Sequence, residues 1–188
     1  MKIVKLSLIL LLGIICISNV SAKDKDKYNK LKGDPIETIS EYGAMYQSGD
    51  FYFGGQPNLA ALKWIREEGV SLVINLRSQS EIDKFTKGAF NEEKMIGELK
   101  MKYISIPMKG KAGYSPENLE KFAEAMEKHK GKVFIHCASA GRVTNIMMAY
   151  LIKHKNFSVN EALQFGKKLK YYSPLELFLE KELSAELK

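Results

Sequence analysis

Cysteine is nearly absent. Only Cys16 and Cys137 occur in 188 residues, and Cys16 falls in an N-terminal segment that reads as removable. What remains cannot close an internal disulfide, which excludes the stapled scaffolds common among small exported domains. No group of His, Cys, Asp and Glu has metal-ligand spacing, so neither metal nor cofactor is expected. No Gly-Lys-Ser/Thr closes a small-residue loop, which excludes the usual nucleotide cradle. The formal charge is +7, yet the lysines are interleaved with Glu, as in Glu120-Lys121, and no basic-aromatic stripe points to nucleic acid. No run beyond residue 17 is apolar enough to span a membrane. Internal repeats, low-complexity tracts and signs of a second domain are missing too.

The N-terminus has the layout of a secretory signal. Lys2 and Lys5 give a positive start, residues 6–17 form a short apolar core, and Val20-Ser21-Ala22 offers small residues for cleavage after Ala22. Ile15 before Cys16 does not fit a lipid-attachment signal. The expectation is export to a periplasm or the exterior, with no lasting membrane anchor. Cleavage would leave 166 residues with a charge of +5 and one cysteine. An unpaired cysteine in an exported chain suggests a reactive thiol; the plainer alternative is an inert thiol buried at a strand end.

Three segments are expected: a signal over 1–22, a polar leader and loosely structured lead-in over 23–49, and one domain over 50–188. Residues 51–54 read as a strand ending in Gly-Gly. Asn58 caps a helix whose Leu59, Leu62 and Ile65 share a face. Residues 70–76 suit a buried strand. Helices are expected around 80–85 and 91–99, and a strand over 101–106. Ser115 with Pro116 opens a helix, 132–136 form the last strand, and a helix follows over about 142–154. Ser158 with Glu161, and Ser173 with Glu176, read as capping boxes. This alternation predicts an α/β fold: a mainly parallel central sheet of four to five strands with helices on both faces. Such sheets bind ligands beyond the C-terminal ends of their strands.

One such end carries the chemistry. The apolar strand 133–135 runs through His136 into Cys137, then Ala138, Ser139, Ala140, Gly141 and Arg142. Small residues let backbone N–H groups converge at a helix N-terminus, whose dipole attracts an anion and favours the thiolate. Arg142 can grip two oxygens with its fork. Gly141 is expected to take the left-handed turn. His136 should face away from the anion and steady the loop. Ser139 or Thr144 could hydrogen-bond the thiolate, although Thr144 could equally serve its own helix. Arg77 could be a second anion contact or an ion-pair partner for Glu81. Candidate general acids are Glu81, Asp83, Glu117 and Asp50, each equally readable as a surface charge. His129 and His154 sit near helix C-termini, where a partly positive ring is favoured.

The His-Cys-loop-Arg run resembles the cysteine-dependent tyrosine and dual-specificity phosphatase superfamily. Together with Gly55-Gln56-Pro57, and Val73-Ile74-Asn75-Leu76-Arg77 with Glu81, it resembles the bacterial phosphatase-like domain associated with beta-lactamase-hydrolase-like proteins and NAD kinase fusions. The resemblance spans about residues 51–152. It implies a tyrosine-phosphatase-like fold, Cys137 as nucleophile forming a phosphocysteine, Arg142 as clamp, amides of 138–142 around the phosphate, and a phosphorylated small molecule or phosphoprotein as substrate, phosphotyrosine among them. The chain departs from the pattern in three ways. Four residues, not five, separate Cys137 from Arg142; the loop 107–114 holds no carboxylate; and Val143 replaces the usual hydroxyl residue. The short loop is similar to that of rhodanese-like sulfurtransferases, so a Cys137 persulfide is the second reading. An oxyanion- or phosphoprotein-binding module is the third.

Overall fold

Short, nearly continuous apolar runs decide how this chain folds, because strands buried on both faces need them. The computed structural model describes residues 22–33, 35–170 and 175–179. Its elements are α1 (Ala22–Gly33), β1 (Glu37–Thr38), β2 (Met45–Ser48), β3 (Phe51–Gly54), α2 (Leu59–Glu67), β4 (Val70–Asn75), α3 (Gln79–Gly88), α4 (Glu92–Glu98), β5 (Lys102–Ser105), α5 (Pro116–Lys128), β6 (Lys132–His136), α6 (Gly141–Lys155), α7 (Val159–Lys168) and α8 (Leu175–Leu179). The strands form one sheet in the order β1-β2-β3-β6-β4-β5. Its four strands from β3 to β5 are parallel, and β2 and β1 extend it antiparallel. Successive residues point to opposite faces. Phe51, Phe53, Ile74, Ile135 and Cys137 join one apolar cluster with residues of α5, α6 and α7. Tyr52, Val73 and Phe134 join the other, against α2.

The α/β architecture expected from the sequence is the one observed, with one difference in extent. The sheet has six strands rather than four or five. The extra pair lies in residues 35–49, which read as loosely structured. Strand β2 turns into β3 through Gly49-Asp50, with Gly49 at φ +55. Turn residues and register, rather than an apolar pattern, make this hairpin.

Residues 23–33 also differ from the polar leader expected of them. They belong to α1, whose Tyr28 and Leu31 are buried. The Tyr28 and Tyr150 hydroxyls lie 3.0 Å apart, and the Tyr28 ring centroid is 5.2 Å from that of Phe51. This apolar pair three residues apart, with Lys27 over the Phe51 ring at 4.6 Å and Lys32 paired to Glu161 at 2.9 Å, docks a helix that composition alone marks as solvated.

Helix starts follow their capping residues. Asn58 Oδ1 accepts from Ala61 N–H at 2.8 Å, Ser115 Oγ from Asn118 N–H at 3.3 Å, and Ser158 with Glu161 closes a capping box. The box expected at Ser173 with Glu176, the signal segment and Cys16 fall outside the described residues and side chains. Among the described residues, no helix is long and apolar enough to cross a membrane.

Candidate active site

Strands β3, β6, β4 and β5 all end at the same side of the sheet, and each delivers part of one site. Strand β6 lies between β3 and β4. Its last residue leads to Cys137, which is buried and free, with its backbone N–H 3.2 Å from Gly54 O. The loop is then tied to the end of β3. Gln56 N–H donates to Ala138 O at 3.2 Å, and Ser139 pairs with Gly55 as an isolated bridge. The approach is tight: a Cβ on Gly55 would stand 3.0 Å from Ala138 O, so the loop backbone would have to give by a few tenths of an ångström. Ala138 and Ser139 are exposed, whereas Ala140 and Gly141 are buried.

The turn into α6 corrects one expectation. Ala140, not Gly141, adopts the left-handed conformation, at φ 67, and Gly141 is the first helical residue. This costs an alanine about 1 kcal/mol. It is offset where Ala140 O accepts twice from Thr144, from N–H and from Oγ1–H, both at 3.0 Å. Thr144 Oγ1 also accepts from Lys170 N–H at 3.3 Å. The Thr144 hydroxyl therefore serves its helix and the turn that follows α7 rather than the thiol. The first N–H groups of α6 lack partners within the helix and crown the Cys137 loop.

Arg142 is the best-held side chain of the site. Its Nη1 and Nη2 donate to the two oxygens of Glu81, each at 2.7 Å, and Nη1 also reaches Met108 O at 2.9 Å. Burial disfavours the cation, but Glu81 and the charge of Cys137 outweigh it and hold the Arg142 pKa above its ordinary value. Arg142 stands in the first turn of α6, at the far end of the loop that begins at Cys137. The Arg142 hydrogen bond, with those from Ser78 N–H and Oγ–H, pulls Glu81 down to about 2 against a desolvation cost. A carboxyl so acidic cannot deliver a proton near neutrality, so Glu81 orients Arg142 and is not a general acid.

Behind the loop lies a second polar group. His136 is fully buried, faces away from Cys137 and stacks on Phe134 at 5.2 Å, as the strand period requires. Its Nε2 stands 2.9 Å from Glu92 Oε1. Glu92 Oε2 accepts from Asn75 Nδ2 at 3.1 Å and Gln56 Nε2 at 3.3 Å. Desolvation opposes the Glu92 charge, but His136, Gln56 and Arg77 outweigh it and lower its pKa. Asn75 Nδ2 also donates to Tyr103 Oη at 3.0 Å; burial, followed by the Glu92 charge, pushes that phenol up to about 12. Arg77 donates from Nη1 to Gln56 Oε1, has Nε 3.9 Å from Glu81 Oε1, and lies 5.5 Å over the Phe85 ring. It thus takes the ion-pair role.

The other candidates are placed elsewhere. Asp50 precedes β3 and sits at the opposite end of the sheet, where its carbonyl accepts from Val133 N–H. Asp83 is exposed and accepts from Gln79, and Glu117 is exposed and paired with Lys121 at 2.7 Å. Burial lowers the pKa of both His129 and His154, against the expectation of partly positive rings. Among the described residues, no cluster of three or more His, Cys, Asp or Glu side chains could hold a metal. A cavity of about 430 Å³ opens under β5, between Ile104 and Ala125, and contains no residue of the site. Sequence reasoning missed Glu92, the Gln56 side chain and the Met108 carbonyl. The available signal for Gln56 and Glu92 was weak: a Gly-Gln-Pro turn at a strand end and an acidic residue after a capping Asn.

Comparison with known proteins gives the same picture. Residues 29–174 match the family described as a DSP-PTPase phosphatase fused to NAD+ kinase. NAD kinase 2, chloroplastic, of Arabidopsis thaliana is 26% identical over 100 residues, which are 53% of this chain and 10% of that protein, so the chain spans about a tenth of its length. A DUF442 protein of Shewanella putrefaciens CN-32 is 26% identical with a TM-score of 0.57, covering 77% of this chain and 93% of that one. PTPMT1 in complex with PI(5)P is 20% identical with a TM-score of 0.59, covering 82% and 100%, and shares the fold.

Proposed function

The chain belongs to the family of DSP-PTPase phosphatase domains found fused to NAD+ kinase, and from that premise we propose that it hydrolyses phosphomonoesters through a phosphocysteine on Cys137. The observation that carries the reading is the Arg142 fork, held by both oxygens of Glu81 in the first turn of α6, at the far end of the Cys137 loop. Backbone N–H groups from Ala138 to Arg142 surround the phosphoryl oxygens. The Cys137 thiolate attacks phosphorus, an S–P bond forms, and the bond to the leaving oxygen breaks with its electrons. Charge grows on the equatorial oxygens in that step, where Arg142 and the amides are already aimed. Water then attacks phosphorus, the S–P bond breaks, and phosphate leaves with the thiolate restored.

The leaving oxygen must be protonated. The loop 107–114 has no carboxylate, and Glu81 is committed to Arg142. Phenols ionise near 10 and need little help, whereas alkyl alcohols do. The site is therefore suited to aryl phosphates, phosphotyrosine among them, in preference to alkyl esters. The proposal includes export by the segment 1–22, to be checked by N-terminal sequencing of protein collected outside the cytoplasm.

The deciding experiment is phosphate release from p-nitrophenyl phosphate and from an alkyl phosphate, under reducing conditions, by wild-type protein and Cys137→Ser. Release from the aryl ester that vanishes in Cys137→Ser supports the reading. No release from folded wild-type protein overturns it. Thiosulfate-to-cyanide sulfur transfer, run beside it, would then identify the persulfide chemistry that the four-residue loop resembles.

A further inference from the structure

Polar groups behind the Cys137 loop follow one another from one flank of the loop to the other, linked by hydrogen bonds at Gln56 and Arg142 and by ion-pair approaches at Glu92 and Arg77. The path starts at His136, one residue before the sulfur, and passes to Glu92 Oε1 at 2.9 Å. Glu92 Oε2 accepts from Gln56 Nε2 at 3.3 Å, and Gln56 Oε1 accepts from Arg77 Nη1. Arg77 Nε approaches Glu81 Oε1 at 3.9 Å, and Glu81 holds Arg142 with both oxygens. Glu92 is 3% exposed and His136 is wholly buried. Burying a carboxylate is costly, and apolar packing fills space at lower cost. The burial of Glu92 therefore calls for an account beyond filling the core.

Hydrogen-bond chemistry supplies that account. An ionised carboxylate can only accept. Facing Glu92, the Gln56 amide must present its NH2 there, which leaves its oxygen toward Arg77. That oxygen occupies one end of Arg77. If the amide turned over, its NH2 would face the guanidinium, and Arg77 would seek the nearest remaining acceptor, Glu81. Glu81 would then be divided between two arginines and would no longer set the fork of Arg142.

We propose that Glu92 is a positioning residue of the oxyanion site: by fixing the sense of the Gln56 amide, it keeps Arg77 off Glu81 and so leaves both Glu81 oxygens to orient Arg142. The proposal rests on the reading of the loop as an oxyanion cradle, and turnover is not needed to test it. The probe is tungstate, a tetrahedral oxyanion, titrated calorimetrically into wild-type protein, Glu92→Gln, Glu92→Asp, Gln56→Leu and the double variant Glu92→Gln/Gln56→Leu. Glu92→Gln can donate as well as accept and leaves the Pro57 carbonyl, 3.3 Å from Gln56 Nε2, to hold the Gln56 NH2 without the carboxylate, so tungstate affinity should fall about tenfold. Glu92→Asp, still acceptor-only, should recover part of that loss. Gln56→Leu cuts the same path at a half-buried side chain and should lose as much, with the double variant no worse than either single one.

A folded Glu92→Gln that binds tungstate like wild type overturns the proposal. If Glu92→Gln does not fold, Gln56→Leu decides: weakened binding supports the path, and wild-type affinity overturns it. Wild-type protein that ignores tungstate removes the cradle and this inference with it. Tungstate binding without aryl phosphate turnover would fail the phosphatase reading alone and leave this one standing.

Discussion

Glu81→Gln separates the orienting role of Glu81 from every other charge in the molecule. Glu81 receives both Arg142 nitrogens at 2.7 Å and the Ser78 hydroxyl at 2.7 Å, and its side chain is 31% exposed. Its pKa falls from 4.5 to about 2, chiefly through the Arg142 hydrogen bond. At about 1.36 kcal/mol per unit, this sets a ceiling of about 3 kcal/mol. Solvent reaches the pair, so screening reduces the expected contribution to about 1–2 kcal/mol. A depressed carboxyl stabilises the fold fully above its unfolded value and loses that contribution as pH falls toward its folded value. The window is therefore from about pH 4.5 down to about pH 2. Urea unfolding of wild type and Glu81→Gln across this range should give a difference of about 1–2 kcal/mol at pH 7 that shrinks toward zero by pH 2. The other carboxylates titrate in both proteins and cancel in the difference. A difference that stays constant with pH would refute the assignment of the shift to Glu81. At neutral pH, kcat/KM toward an aryl phosphate should fall at least about tenfold, because the Arg142 fork loses its charged partner.

Much of this was readable from residue order, and the reason is local. Near-continuous apolar runs in 51–54, 70–75 and 132–136 specify buried parallel strands, because each side chain must meet an apolar layer on its own face. A strand ending in His136-Cys137, followed by small residues and Arg142, states both where a nucleophile sits and what could hold an anion there. Capping at Asn58, Ser115 and Ser158 follows from hydrogen bonds that span only three residues. What stayed hidden depends on partners distant in sequence. Glu92 looks like an ordinary first-turn acid until the fold brings it under His136, 44 residues away. The Met108 carbonyl that holds Arg142 has no side-chain signature at all, since any residue could offer it. Glu81 reads as a candidate acid or a partner for Arg77, and neither role points to its bidentate contact with Arg142 across the site. The docking of α1 was hidden because lysine-rich composition outweighed the two residues that bury, Tyr28 and Leu31, and the β1–β2 extension because few of its residues bury, Met45 and Ser48 in β2.

Three further substitutions probe the framework around the site. Arg142→Lys keeps the charge but loses the fork, and kcat/KM toward an aryl phosphate should drop about 100-fold with little change in unfolding midpoint. Tyr28→Phe removes the hydroxyl that meets Tyr150 and should cost about 1 kcal/mol in urea unfolding; wild-type stability would mean that the contact anchoring α1 contributes nothing net. Gly113→Ala tests whether the 107–114 loop holds Arg142 through its backbone. A Cβ on Gly113 would stand 2.6 Å from Met108 Cα and 2.7 Å from its carbonyl carbon. Backbone cannot swing aside as a flexible side chain can, so the Met108 segment must shift. The crowding should cost about 1–3 kcal/mol. Because the displaced carbonyl accepts from Arg142 at 2.9 Å, turnover should fall by up to about 100-fold as well. Gly88→Ala is the control, since nothing lies within 4 Å of its Cβ, and it should be neutral in both assays. If Gly113→Ala lowered stability but left kcat/KM at the wild-type value, the Met108 carbonyl would be packing beside Arg142 rather than setting its orientation.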